Sequence, residues 1–516
     1  MLAQILSGAV LGVDAFLVHV EVDLARGLPC MNVVGLPESA VREGRERVTA
    51  ALANSGHPLP PRRITVNLAP ADVRKDGSAF DLPIAVGLLA AAGTLPARRA
   101  AGLAFIGELG LDGELRPVRG VLPVAVRCAS EGLAGLVVPW ANAAEAAVVE
   151  GLAVYGARTL TEVARHLSGA RVLPRYASPA AVEEGEVPDL DLSDVRGQES
   201  AKRALEVAAA GQHNLLMIGA PGAGKSMLAR RLPGILPPLT RAEAVEVTRV
   251  YSVTGRLRPG QALLPARPFR APHHTISDAG LIGGGGVLLR PGEISLAHHG
   301  VLFLDELPEF RRPVLESLRQ PLEDGCIQIG RARASLSYPA RFMLVAAMNP
   351  CPCGYRHTED GRCVCSDRQA DTYAARVSGP LLDRIDLHID VPPLEEHELS
   401  MLPAGESSAV VRARVIAARE RQVARFRTTQ PAIFANAQMP PRVLREHCRL
   451  PADGEILMRN ALRQMGVSAR GFHRVLRLAR TIADLAAAPA IERAHLAEAI
   501  QYRSLMRAGA APRLAR

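Results

Sequence analysis

Eight consecutive residues, Gly219, Ala220, Pro221, Gly222, Ala223, Gly224, Lys225 and Ser226, carry the spacing of a phosphate-binding loop: a glycine, four residues, then Gly-Lys-Ser. The backbone N–H groups of such a turn and of the following helix cradle phosphate oxygens. Lys225 would reach the β/γ oxygens of a nucleotide such as ATP, and Ser226 would ligate Mg²⁺. Lys75, Lys202 and Lys225 are the only lysines in the chain. An incidental lysine in a glycine-rich turn is therefore a weak explanation of this match.

About eighty residues later, Gly300-Val-Leu-Phe-Leu-Asp-Glu306 is an apolar run ending in two acids, the form of a buried strand with carboxylates at its C-terminal edge. Asp305 would hold the Mg²⁺ shell, and Glu306 would orient or deprotonate the attacking water. Arg341 to Asn349 is a second such run, ending in an amide suited to positioning the lytic water. Arg384 stands at the end of an apolar helix, Ser378 to Asp386, while Ser468 to Arg474 opens a helix bearing Arg470 and Arg474. Arginines so placed can neutralise transition-state charge, one from a neighbouring subunit and one from a lid. Cys351, Cys353, Cys363 and Cys365 form a CxC…CxC cluster, with His357 as a spare ligand. The cluster suits a structural Zn²⁺ site, and reduced structural cysteines are the alternative.

These residues need a frame, and the pattern supplies one in three parts. From Phe16 to Val34 the apolar residues alternate as in two strands. A helix from Pro37 to Ser55, a strand from Ile64 to Leu68 and mixed α/β pattern complete a domain over 1–170. Residues 171–190 lack an apolar period and read as a linker. Alternating strands and helices over 191–395 predict a parallel α/β core, and 396–516 reads as a helical lid. The fold class is α/β, with an N-terminal α+β domain, a parallel-sheet core and a C-terminal helical lid.

Of 516 residues, 48% are hydrophobic and 22% charged, which excludes disorder and a disulfide scaffold. The longest apolar run, Leu82 to Ala92, is too short for a membrane span. Asp14 and His19 interrupt the N-terminal apolar stretch, so neither a membrane partner nor export is expected, and a cytoplasmic enzyme is. The net charge of +9 is uneven. From Val410 onward there are twenty arginines and seven acids, which leaves the first 409 residues at −4. Two readings stand for the basic end: a surface for DNA or another polyanion, or a solvated arginine face. The glycine-rich stretch Gly280 to Gly286, flanked by His273, His274 and Arg290, is either a pore-lining insert or an ordinary hairpin loop.

The chain resembles the AAA+ ATPases, and within them the magnesium-chelatase-like ComM/YifB family. The resemblance rests on Asp194-Val-Arg-Gly-Gln198, the phosphate loop, Phe269 to Thr275, Arg290 to Ser295, Asp305-Glu306, Asn349 to Gly354 and Ser378 to Asp386. It implies Asn349 as sensor 1, Arg384 as an arginine finger acting in trans, and Arg470 as sensor 2 with Arg474 as fallback. It further implies a homo-oligomeric ring, a hexamer, and a motor that drives branch migration of joint DNA molecules in natural transformation. The alternative is ATP-driven remodelling of a protein or metallocofactor partner.

The N-terminal domain looks like the fold of the Lon proteolytic domain in Val66 to Pro70 and Lys75 to Ala79, with Ser78 at the nucleophile's position. Leu122 stands where the Lon base is expected, and Lys75 shares a loop with Ser78. A non-proteolytic role is therefore expected.

Overall fold

The computed structural model describes every residue except 1, 37, 38, 74, 76, 178–189, 285–288, 332, 333, 357–360, 394–402, 404, 430–432, 466–468 and 505–516. His357, Gly285, Gly286 and most of the expected linker thus lie outside the described residues.

The first strand precedes the first one expected from sequence. Leu2–Leu11 (β1) pairs antiparallel with Asp14–Ala25 (β2) along its whole length, from Leu2 opposite Asp23 to Leu11 opposite Asp14. Its apolar residues fall in a run rather than alternating, which hid the period-2 signal. Cys30–Val34 (β3), Arg63–Ala69 (β4), Leu103–Phe105 (β5), Gly135–Pro139 (β6) and Ala153–Ala157 (β7) complete a seven-stranded mixed sheet in the order β3-β4-β2-β1-β5-β6-β7. Asp81–Ala91 (α1) is buried along its whole length against Ile5 and Val22, and Val121–Ser130 (α2) packs on the opposite face of the same strands, where Val124 meets Gly8. Residues 171–177 do not hang free as a linker would. The Tyr176 amide donates to the Val154 carbonyl at 2.8 Å and its ring meets Trp140 edge-on, so this segment belongs to the sheet unit.

The second sheet is entirely parallel: Leu215–Ile218 (β8), Phe269–Arg270 (β9), Val301–Leu304 (β10), Met343–Met348 (β11) and Leu387–Asp390 (β12), in the order β9-β10-β11-β8-β12. β10 and β11 are buried at every position, the behaviour of strands covered on both faces. Glu199–Gly211 (α3) and Lys225–Ile235 (α4) cover one side. Arg241–Thr254 (α5) joins the two sheet units, since α2 packs on it and the Ser252 hydroxyl donates to the buried Glu145 carboxylate at 2.7 Å.

The C-terminal helices are Ser408–Phe426 (α6), Pro441–His447 (α7), Ala452–Met465 (α8), Ala469–Leu485 (α9) and Arg493–Ser504 (α10). α6 and α9 pack on α3, and α10 lies on β12. Much of the arginine surplus is spent inside this packing. Arg419 donates to the Ala210 and Ala209 carbonyls at 3.0 and 2.7 Å, satisfying the end of α3. Arg480 does the same at Pro489 and Ala488 beyond the end of α9. Arg425 and Arg480 share Asp484. The basic end is thus in part a structural device. Arg442, Arg445, Arg449, Arg459, Arg463 and Arg493 remain exposed.

Candidate functional site

Parallel strands deliver their C-terminal ends to one edge of the sheet, and four of the expected groups meet there. Gly219 follows β8, Asp305 and Glu306 follow β10, and Asn349 follows β11. The phosphate loop turns through Gly222 and Gly224, whose φ values of +80° and +88° suit glycine, and Lys225 opens α4. The Lys225 ammonium is buried and donates to the Gly219 and Ala220 carbonyls at 2.7 and 2.9 Å and to Asn349 Oδ1 at 3.2 Å. Burial lowers its pKa, which Asp305 and Glu306 oppose. A phosphate beside it would restore the charged form, so the site is built to gain from an anion.

Ser226 Oγ donates to Asp305 Oδ2 at 2.5 Å. These two hard oxygens are the pair that would hold Mg²⁺, and their proximity fits that ion. Glu306 has a left-handed φ of +53°, uncommon outside glycine, and its half-exposed carboxylate lies 3.1 Å from His274 Nδ1. The sequence sets His274 beside the glycine-rich stretch Gly280 to Gly286; its side chain reaches Glu306 of the acidic pair. The insert itself is a short helix, Asp278–Ile282, followed by an antiparallel ladder of Gly283 and Gly284 with Pro291 and Arg290.

Arg384 and Arg470 are not brought to the phosphate loop. Asn214, at the N-terminal edge of β8, donates to the Arg384 carbonyl at 2.9 Å, and five residues of extended chain, roughly 16 Å, separate Asn214 from Gly219. Arg384 is buried and bonds Pro380 O and Glu323, and Arg470 approaches the same Glu323 at 3.6 Å. Arg470 therefore stands with Arg384 rather than over its own nucleotide. Arg474 pairs with the buried Asp386 at 2.7 Å, and that ion pair ties the lid to the core. Asp386 stays well below the usual carboxylate range despite its burial, held down by Arg474 and His213.

The cysteines do converge. Sulfur separations are 3.3 Å for Cys351–Cys353, 3.8 Å for Cys351–Cys363 and 3.7 Å for Cys353–Cys363. Cys365 completes a group with all four atoms within 4.8 Å of one another. Tetrahedral Zn–S bonds of about 2.3 Å place sulfurs about 3.8 Å apart, so the set fits zinc.

A second cluster, Glu246 with His298 and His299, has the composition of a metal site but not its proton chemistry. His298 Nδ1 accepts the Arg341 amide at 3.1 Å, so neutral His298 carries its proton on Nε2 and donates it to Glu246 at 3.0 Å. Those nitrogens leave no lone pair for an ion.

In the N-terminal unit, Ser78 Oγ donates to Glu108 and the buried Lys75 ammonium to the Pro70 carbonyl. Lysine and serine are turned to different partners, and Leu122 is buried.

A family model described as magnesium chelatase, subunit ChlI, matches residues 191–399, and its C-terminal counterpart matches 405–503. A third, described as subunit ChlI of Mg-chelatase, matches 20–142. The competence protein ComM of Haemophilus influenzae is 47% identical over 511 residues, covering 98% of each chain. The chain belongs to the magnesium-chelatase-like ComM/YifB family of AAA+ ATPases. The protein YifB of Escherichia coli is 44% identical over 500 residues, covering 97% of this chain and 96% of its own. The magnesium-chelatase 38 kDa subunit of Rhodobacter capsulatus is 29% identical over 181 residues, 32% of this chain and 51% of that one. Among the described residues no helix is long and apolar enough to cross a membrane.

Proposed function

We propose that this ComM/YifB-family ATPase hydrolyses ATP in a homo-oligomeric ring, a hexamer, to translocate on DNA and drive branch migration of joint molecules. The observation that carries the reading is the separation of two charge sets across one sheet: Lys225, Ser226, Asp305, Glu306 and Asn349 at one edge, Arg384 and Arg470 at the other. Such a subunit holds a nucleotide with one edge and offers its arginines only to a neighbour. In this reading Lys225 and the loop amides bind the triphosphate, Ser226 and Asp305 hold Mg²⁺, Glu306 activates water, and Asn349 orients it. Arg384 and Arg470 stabilise the transferring phosphoryl group across the subunit boundary. Cys351, Cys353, Cys363 and Cys365 hold a structural zinc ion. The sheet unit before residue 171 serves a DNA-handling or structural role, since Ser78 lacks an amine base.

The DNA assignment draws on the competence protein among its relatives and on the exposed lid arginines. ATP-dependent strand exchange on a mobile Holliday junction, beside a static duplex and with Lys225→Ala and Glu306→Gln proteins, tests it. Movement that disappears in both variants supports a DNA motor. ATP hydrolysis indifferent to DNA, with no movement, transfers the reading to remodelling of a protein or metallocofactor partner, as the chelatase relatives suggest.

A further inference from the structure

The carboxylate that joins the two arginines has no place in the phosphate chemistry, and no sequence motif marks it. Glu323 lies near the end of the short helix Arg319–Asp324. Its Oε1 accepts from Arg384 Nη2, and Arg470 Nη1 lies 3.6 Å from the same oxygen. Arg384 comes from the core and Arg470 from the lid, so one carboxylate sets the relation between the two units at this corner. The Arg384 side chain is 6% exposed and that of Arg470 is 66% exposed. Among the described residues Arg384 Nε is buried without a hydrogen-bond partner.

We infer that Glu323 is a positioning residue that presents Arg384 and Arg470 together to the triphosphate held by an adjacent copy of this chain. The inference rests on the trans-acting reading of Arg384. Like charges oppose such a pair. Burial lowers the Arg384 pKa, and the neighbouring Arg319 and Arg470 charges lower it further while Glu323 raises it. Without the carboxylate, the exposed Arg470 side chain would move away from the like charge and sweep its rotamers. With it, both guanidinium groups are fixed before a phosphate arrives, and fixing donors in advance is what makes them catalytic rather than merely attractive. Glu323 is itself half-exposed and Arg470 more so, so an adjacent copy can reach this corner without a buried anion having to leave.

The test uses steady-state ATP hydrolysis by the full chain, with Glu323→Gln, Arg384→Ala and Glu306→Gln proteins alone and in mixtures. Glu323→Gln keeps the side-chain shape and removes the charge. The expected result is a fall in kcat of roughly 10-fold with KM for ATP within about 2-fold, because donors acting from the neighbour serve the transition state rather than ground-state binding. Mixing with Glu306→Gln subunits should recover hydrolysis for Glu323→Gln as it does for Arg384→Ala, since one of the two orientations of a mixed boundary pairs an intact water-activating site with an intact arginine set. Recovery for Arg384→Ala but not for Glu323→Gln, or an unchanged kcat for Glu323→Gln, overturns the positioning role. If Arg384→Ala itself recovers nothing on mixing, the trans-acting reading fails and this inference falls with it.

Discussion

Gly354 lies directly against Pro221. A Cβ on Gly354 would stand 2.5 Å from Pro221 Cδ, and Gly354 has a φ of +89°, so both space and backbone demand glycine there. Pro221 belongs to the phosphate loop, and Gly354 follows directly on the first pair of clustered cysteines. Asn349, which accepts from Lys225, lies two residues before Cys351. The segment that carries the clustered cysteines therefore touches the phosphate loop at two points, once where a ring meets backbone and once through an amide.

Replacing Gly354 with alanine should push Pro221 and weaken ATP binding, with KM raised several-fold and the fold retained. Releasing zinc with a thiol-modifying reagent should do the same, and one zinc ion per chain should be freed. A metal-sensitive dye read beside nucleotide affinity checks both. Affinity unchanged after full release would sink the bracing role.

Glu306→Gln should still bind ATP while hydrolysis falls roughly 100-fold or more, the scale of a general base. Lys225→Ala should fail in binding itself, because its ammonium is the buried cation of the loop. Fluorescent-nucleotide titration separates the two. Equally weakened binding in both proteins would mean that Glu306 holds the loop rather than the water.

The parts legible in the sequence are those with a local signature. The phosphate loop, the apolar runs ending in Asp305 and Asn349, and the lid helices each have a spacing that short-range geometry enforces. Glu323 carries no such signal, since its meaning lies in the approach of Arg384 and Arg470, 61 and 147 residues away along the chain. His274 likewise stands out in the sequence for its immediate neighbours, whereas its partner in space is Glu306. The arginine surplus misleads in a different way. Composition counts charges but cannot separate Arg419 and Arg480, which close helix ends, from Arg442 and Arg463, which face solvent.

That distinction selects the variants for a DNA-binding test. Glutamine at the exposed Arg442, Arg445, Arg459 and Arg463 should leave thermal stability within about 0.5 kcal/mol each, as for surface positions. It should also reduce the slope of log affinity against log salt by about 0.9 for every phosphate of duplex DNA that the variant no longer neutralises. Glutamine at Arg419 should instead destabilise the protein by leaving α3 carbonyls unsatisfied. An unchanged salt slope in the exposed set would assign those arginines to a subunit boundary or to solvent.

Acid should destabilise the core through buried histidines. His388, on β12, is pushed down to about 3 by burial and then by the Arg503 charge, and its Nε2 has no hydrogen-bond partner among the described residues. His298 is pushed down to about 4, chiefly by burial. For a histidine depressed in the folded state, the unfolded chain takes up the proton first. The stability from neutral burial is present above pH 6.5 and is lost as pH falls toward the folded value, at up to about 1.4 kcal/mol per unit and per group. Asp81 acts with the opposite sign. Burial raises its pKa to about 6 against the pull of Arg47, so its share is present below pH 3.8 and lost as pH rises through 6. Burial also depresses His213 and raises Glu145, so three buried histidines oppose two buried carboxyls, and the melting midpoint should drop on acidification between pH 6.5 and 4. His388→Leu removes one titrating group and an unsatisfied nitrogen together. It should melt near the parent at pH 7.5 and above it at pH 5, and a parallel decline in both proteins would show that His388 does not set the slope.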